Sequence, residues 1–175
     1  MSLENAKENL KEFGKELNLE LKFDENNTCI LGIDDEFSLH LTYEPNSDRL
    51  YLYSPLLDGL PRDEKARLKL YEKLLEGSML GGQMAGGGVG VAVKEELILV
   101  HCTIDMAHAM SNALKNFAAV FVEMVEKWRK ICADIVAGRE PTGESPKKAQ
   151  DRPPQIPGPS SMGGGKPGGG GYIKI

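Results

Sequence analysis

The sequence predicts an α+β domain of order α-β-β-β-α-β-β-α built on an antiparallel sheet. Apolar residues recur at helical spacing in three separate windows and at strand spacing in five. The strand windows are joined within hairpins by turns far too short for a parallel crossover. With 175 residues, 41% hydrophobic and 27% charged, the chain has the length and make-up of one ordinary globular domain.

The first helix is signalled by Leu3, Ala6, Leu10, Phe13 and Leu17, which fall on one stripe, while Glu4, Lys7, Glu8, Lys11 and Glu12 face water. Turn residues Glu25 to Asn27 lead into the β-rich run Thr28 to Ile33, and Asp34-Asp35 reverse the chain. Phe37 to Tyr43 alternates strictly, with Phe37, Leu39, Leu41 and Tyr43 on one face and His40 on the other. After the turn Glu44 to Asp48, Leu50 to Tyr53 closes a three-stranded meander, and Pro55 and Pro61 bracket a change of period. Ala66, Leu70, Tyr71, Leu74 and Leu75 then predict a helix over 62–77, with Gly77 as its left-handed stop. Gly77 to Gly90 holds seven glycines and runs into Val89, Val91 and Val93 at period two. Lys94 to Glu96 turns the chain into Leu97 to Ile104, a strand apolar on both faces. The last helix is expected from an N-cap at Asp105, with Met110, Leu114, Phe117, Phe121, Met124, Trp128, Ile131 and Ile135 as its stripe, until Gly138 and Pro141 end it. At that length it spans roughly 45 Å.

Residues 1–138 are thus expected to form the domain, and 139–175 a disordered Pro/Gly-rich tail. From Glu140 onward the chain carries seven of its ten prolines and almost nothing large and apolar before Tyr172. Of the net charge of −5, the tail contributes +3 and the body −8. An acidic body lacks the clustered Lys and Arg that phosphate binding needs, so nucleic acid is not an expected partner. The amino-terminal residues predict no cleavable secretory signal, and no run reaches the ~18 apolar residues of a spanning helix, so a cytoplasmic protein that does not insert into membrane is expected. Cys29, Cys102 and Cys132 are odd in number and far apart, which supports neither a disulfide framework nor a zinc ribbon.

No constellation points to catalysis or to a cofactor. Gly86-x-Gly88 and Gly88-x-Gly90 follow a helix and precede a strand, the reverse of a phosphate-cradling loop, and no Gly-Lys-Ser/Thr is present. The glycines instead suit a flexible connector or a close approach of two backbones at a subunit contact. His101 and Cys102 point to opposite faces of a strand, so with Asp105 and His108 they make a poor metal set. No serine is paired with a histidine, and Cys29 and Cys132 read as small core residues. What stands out is apolar surface on both faces of the sheet, which self-association or a partner peptide would cover, the alternative being helices on both faces of a monomer.

The element order, the acidic body and the small size resemble the class I type III secretion chaperones, the Tir-chaperone or SycE-like family. The segments NNTCIL, EFSLHLTYE, DRLYLY, PLLDGLP and LYEKLLEGSMLGGQMAGGGVGVA, with the terminal AGREPT, are similar to the SycE-like chaperones of chlamydial type over roughly residues 1–141. The resemblance implies a bacterial, cytoplasmic homodimer without catalytic activity. Such a dimer binds the N-terminal segment of a secreted effector, keeps it secretion-competent and directs it to the secretion machinery. It implies a dimer contact through Leu70, Tyr71, Leu74, Met79, Leu80, Val89 and Val91, and an effector surface through Leu10, Phe13, Leu31, Leu39, Leu50 and Leu52. The alternative from another class is a non-catalytic regulatory or scaffold dimer that recruits partners through its tail; an enzyme would need a constellation the sequence lacks.

Overall fold

The structure, a computed structural model, describes residues 2 to 141. The tail expected from 139 onward lies, past Pro141, outside the described residues. The elements are α1 (Ser2–Leu17), β1 (Thr28–Ile33), β2 (Phe37–Glu44), β3 (Arg49–Asp58), α2 (Glu64–Ser78), a single 3-10 turn (Met79–Gly81), β4 (Gly88–Ala92), β5 (Leu97–Asp105) and α3 (Ala113–Val136). The predicted order holds. The five strands form one sheet in the order β1-β2-β3-β5-β4, with every neighbouring pair antiparallel, so β1 and β4 are the free edges.

The alternation read from the sequence sets the layers. Leu39, Leu41, Leu50, Leu52, Ile98 and Val100 are fully buried on one face, in a single cluster with Leu10 of α1 and with Phe121, Val125 and Trp128 of α3. Each such side chain contributes roughly 2 kcal/mol by leaving water. α2 sits toward the β4 edge, against α3 and β4. The other face of the sheet carries His40, Tyr51, Tyr53, Leu99 and His101, half-buried or exposed.

Three local expectations are corrected. β3 runs on to Asp58, because β5 pairs with it as far as Asp58↔Leu97. Pro55 therefore lies inside a strand rather than ending one. Its missing N–H breaks no bond, since the pairing of β2 with β3 stops at Tyr53, and its carbonyl accepts from Arg129 Nη1 at 2.8 Å. The pairing with β5 shifts register by a bulge between Pro55 and Leu57, while the alternation of β3 runs on unbroken and keeps Leu56 in the core, 2% exposed. The Arg129 guanidinium also donates to the Glu36 carbonyl at 3.1 Å and lies 5.5 Å over the Phe37 ring, closing the gap where β2 and β3 part.

Gly77 is not a left-handed stop but an interior residue of α2. A Cβ there would stand 2.2 Å from Trp128 Cζ2, so the missing side chain is a packing requirement. The left-handed residues come later, at Leu80 and Gly81. α3 begins at Ala113 instead of beside Asp105, giving 24 residues and a length of about 36 Å. Asp105 does cap, but it caps a turn. Its carboxylate accepts from Ala107 N at 2.9 Å, its carbonyl accepts from Ala109 N at 2.9 Å, and Met106 N donates to Asp48 O at 2.9 Å. Fully buried Met106 pins that turn to the core, so Met110 belongs to the approach and is exposed. At the far end Gly138, with φ +70°, and the Arg139 N bond to Asp134 O close α3 as a glycine-capped terminus should.

The glycine segment is an ordered turn inside the protomer. A Cβ on Gly87 would fall 1.8 Å from the His101 carbonyl oxygen, and one on Gly81 would fall 2.6 Å from the Gly86 backbone. Cys102 donates its thiol proton to Met84 O at 3.2 Å, holding the turn onto β5. Close backbone approach is thus found inside the protomer, whereas the sequence reading places it at a subunit contact.

Candidate binding surfaces

The first surface is a groove along α1. α1 ends at Leu17, and Asn18 takes a left-handed conformation with φ 54°. Leu19 N then donates to Gly14 O at 2.9 Å, and the chain folds back along its own helix. Gly14 permits this return, because a Cβ there would stand 2.6 Å from Leu19 O and 3.2 Å from Leu21 Cγ. Residues 20–23 are extended and alternate, with Leu21 and Phe23 turned inward and Glu20 and Lys22 outward. Between this segment and α1 lies a groove of about 490 Å³, lined by Lys7, Leu10, Lys11, Glu20, Leu21, Lys22 and Phe23. Among the described residues, no backbone–backbone hydrogen bond engages Glu20 to Phe23. Asp24 anchors the exit, accepting from Asn26 N at 2.9 Å and Thr28 N at 2.8 Å, and the chain enters the free edge strand β1.

α1 itself is held by amides rather than by apolar contact alone. Asn5 Nδ2 donates to Met106 O and Ala109 O, both at 2.8 Å. Asn9 is fully buried; its Nδ2 donates to Met110 O at 3.0 Å and its Oδ1 accepts from Leu114 N at 2.9 Å. Asn112, at the N-cap position of α3, makes no side-chain capping bond, so Asn9 supplies the cap from another helix.

The second surface is the open sheet face. Across it the strand register aligns Ile30, His40, Tyr53 and His101. His40 and Tyr53 stack with centroids 4.8 Å apart, and Ser38 Oγ lies 2.8 Å from His40 Nε2. Partial burial lowers the His40 pKa below its ordinary value. Thr42, Tyr51, Tyr53, Gly90, Leu99 and His101 line a shallow trough of about 410 Å³.

The third surface joins α2 to β4. Leu68, Tyr71, Leu75 and Met79 form its stripe at helical spacing, with Leu68 60%, Leu75 66% and Met79 71% exposed. Tyr71, Leu74, Leu75, Val89, Gly90 and Val91 line a cavity of about 180 Å³. Beside it Leu80 is wholly exposed, with φ 52° and ψ 23°. Of the eight non-glycine residues with positive φ among the described residues, five are Asn or Asp and Leu80 is the one large apolar side chain. That conformation costs a leucine on the order of 1 kcal/mol. It is imposed by neighbours on both sides: Ser78 Oγ donates to Leu74 O at 2.8 Å, and Gly81 O accepts from Met84 N and Gly86 N.

The sequence-derived surface residues fall into two groups. Leu10, Phe13, Leu31, Leu39, Leu50 and Leu52 are brought together, all within the core cluster, and of these Leu10 also lines the α1 groove. Leu70 and Leu74 point into the protomer, at 0% and 2% exposure, while Tyr71, Met79, Leu80, Val89 and Val91 lie on the α2–β4 face. Leu68 and Leu75, one step round the helix, were missed as surface residues, as was the groove wall Leu21 and Phe23. The alternation of Leu19, Leu21 and Phe23 was the available signal for that wall.

Nothing in these surfaces is arranged for bond chemistry. Burial pushes the Cys102 thiol up to about 11 and the Cys132 thiol up to about 12, and raises that of Cys29, so none is a ready thiolate. Among the described residues no three His, Cys, Asp or Glu side chains could share a metal ion, and no helix is long and apolar enough to cross a membrane.

The architecture has close counterparts among solved structures. In the HopA1–SchA chaperone–effector complex, one chain matches with a TM-score of 0.58 and 27% identity, over 74% of this chain and 96% of that one. The ExsC–ExsE complex gives 0.61 and 17%, over 74% and 94%. The Yersinia pestis type III secretion chaperone SycH, solved with a fragment of YscM2, gives 0.54 and 15%, over 70% and 98%. The latter two likenesses concern the fold alone. No curated protein matches the chain by sequence. The model of the Tir chaperone protein (CesT) family matches residues 8–129, most of the described domain. The chain belongs to that family, and is a type III secretion chaperone rather than an enzyme.

Proposed function

We propose that this chaperone acts in the bacterial cytoplasm as a homodimer that holds the N-terminal segment of a secreted effector extended along the α1 groove and delivers it to the secretion machinery. The observation that carries the reading is the groove between α1 and residues 20–23. It pairs an apolar lining with extended backbone whose hydrogen-bonding groups no other backbone uses, beside the free edge of β1. An extended peptide needs those two things: main-chain partners for affinity and pockets for alternate side chains. The HopA1–SchA likeness supports it, that structure being a chaperone–effector complex. Leu31, Leu39, Leu50 and Leu52 lie beneath, in the buried cluster that also holds Leu10, and support the groove without lining it. The SycE-like chlamydial type is the finer assignment, supported by the block LLEGSMLGG, whose Gly77 and Gly81 the packing of Trp128 and Gly86 requires.

Lys11→Trp tests the groove. Lys11 is exposed on α1 and lines the groove, so an indole there lies across the opening without entering the core. Capture of an effector N-terminal segment, followed by calorimetry, should weaken at least about tenfold while the unfolding temperature stays unchanged. Unaltered affinity would remove the groove from the binding site.

A further inference from the structure

We infer that the trough on the open sheet face takes the chain's own proline-rich segment, Pro153–Pro159, laid across Tyr51, Tyr53, Leu99 and His101. This surface is separate from the α1 groove, so the inference goes beyond the proposed function. Two glycines that the protomer itself does not need mark it. Gly77, Gly81 and Gly87 are packing requirements, because a Cβ on any of them would stand 2.6 Å or less from a neighbouring atom. Gly88 and Gly90 differ. A Cβ on Gly88 would make an ordinary 3.8 Å contact with His101 Cε1, one on Gly90 would meet nothing within 4 Å, and neither takes a positive φ. Register sets Gly88 beside His101 and Gly90 beside Leu99, so β4 is bare along one side of the trough. A glycine inside a strand weakens it, and one that no packing requires fits a site where another backbone lies close.

The lining says what kind of backbone. Tyr51, Tyr53 and His101 offer ring faces together with hydroxyl and ring-nitrogen partners, and none of the lining residues is an acid, a lysine or an arginine. Aromatic-lined grooves of that make-up take polyproline II segments, whose carbonyls have no partners within their own helix. Such a helix turns about every three residues, which sets Pro154 and Pro157 on one edge and Pro153, Ile156 and Pro159 on the next. It needs no hydrogen bonds of its own, so a segment too poor in apolar residues to fold alone is still suited to dock. The net charges are opposite, +3 in the tail against −8 in the body. Lys69 Nζ donates to Glu140 Oε1 at 3.0 Å, which holds the end of the described chain beside α2, at the β4 edge. The eleven residues 142–152 can then span roughly 40 Å, against about 20 Å across the five strands, so the segment can reach the trough.

NMR of the full chain tests this, with the three histidines as reporters. His101 lines the trough, His40 stacks on Tyr53 beside it, and His108 sits apart on the exposed Asp105 turn. In the double variant Pro154→Ala with Pro157→Ala, the His101 and His40 ring signals should move, by the same amount at every protein concentration, while His108 keeps its position. Gly90→Val tests the other side of the contact. Its side chain projects onto the open face and fills the trough, and the free space there lets the fold accept it. In that variant the Ile156 methyl signals should shift to the positions they take in a free peptide of residues 150–160. Unmoved His101 and His40 in the double variant, or Ile156 at its free-peptide positions in the wild type, would overturn the docking. A difference that faded on dilution would assign the trough to the segment of a second copy. Uptake of an added proline-rich peptide by the wild type, with no effect of the double variant, would assign it to an outside partner, and either result would overturn the self-contact.

Discussion

Gly77→Ala should lower the free energy of unfolding by about 2 kcal/mol, even though alanine is the better helix former by about 1 kcal/mol. The added methyl would stand 2.2 Å from Cζ2 and 2.3 Å from Cη2 of Trp128, and overpacking on that scale costs about 3 kcal/mol. Neither partner has room to retreat. Gly77 is buried within α2, and Trp128 is fully buried with its indole N–H donating to Gln83 O at 2.9 Å. Trp128→Phe deletes the two clashing carbons and leaves a void where the methyl would go. On its own it should cost about 2–3 kcal/mol, from lost packing and the orphaned Gln83 carbonyl. The double variant should then be at least about 1 kcal/mol more stable than the sum of the singles predicts, which urea unfolding with an unchanged m-value would measure. Strict additivity would show that α2 moves bodily away from α3 instead, and that the glycine is not fitted to the ring.

Asn9→Ala should cost about 3 kcal/mol, a large penalty for a short polar side chain. The substitution strips the partner from Leu114 N–H in the first turn of α3 and from the Met110 carbonyl, and each buried orphan costs about 1–3 kcal/mol. Asn112, the residue positioned to cap, makes no capping bond that could take over. Hydrogen exchange should therefore lose protection first at Leu114 and its neighbours, ahead of the sheet. An equivalent change at exposed Asn116 should leave stability within about 0.5 kcal/mol of wild type. If Asn9→Ala and Asn116→Ala melted together, the amide clamp would not be what sets α1 against α3. Because α1 forms one wall of the groove, the same clamp ties the groove's width to the start of α3.

Element type was legible wherever one face of a long segment is buried, because burial writes its period into the residues. Phe37-Leu39-Leu41-Tyr43 and Leu10-Phe13 are examples, and both lie in the core as their spacing says. Boundaries were less legible where two signals compete. Asp105 is a good cap, yet the residue that decides is Met106, whose burial holds the following turn to the sheet. Gly77 has the look of a helix stop, yet its smallness serves Trp128, more than fifty residues away, and no local pattern reports a distant ring. Pro55 marked a break that the end of the β2 ladder makes unnecessary.

The surfaces were harder to read for a related reason. The stripe Leu70-Leu74 and the stripe Leu68-Tyr71-Leu75-Met79 are both apolar, and only the position of α3 decides which one turns inward. Leu21 and Phe23 gain their meaning from a return path that Gly14 and Asn18 permit, a tertiary event. The strain at Leu80 is carried by its neighbours' hydrogen bonds and leaves no trace in its own identity.

The most direct test is the mass of the protein in solution, by size exclusion with light scattering, alone and co-expressed with the N-terminal segment of a secreted effector. A homodimer alone, and a stable complex of two chaperone chains with one segment, is the predicted result, since interface-scale burial along the groove should survive the column. A monomer, or a dimer that leaves every such segment unbound, would contradict it.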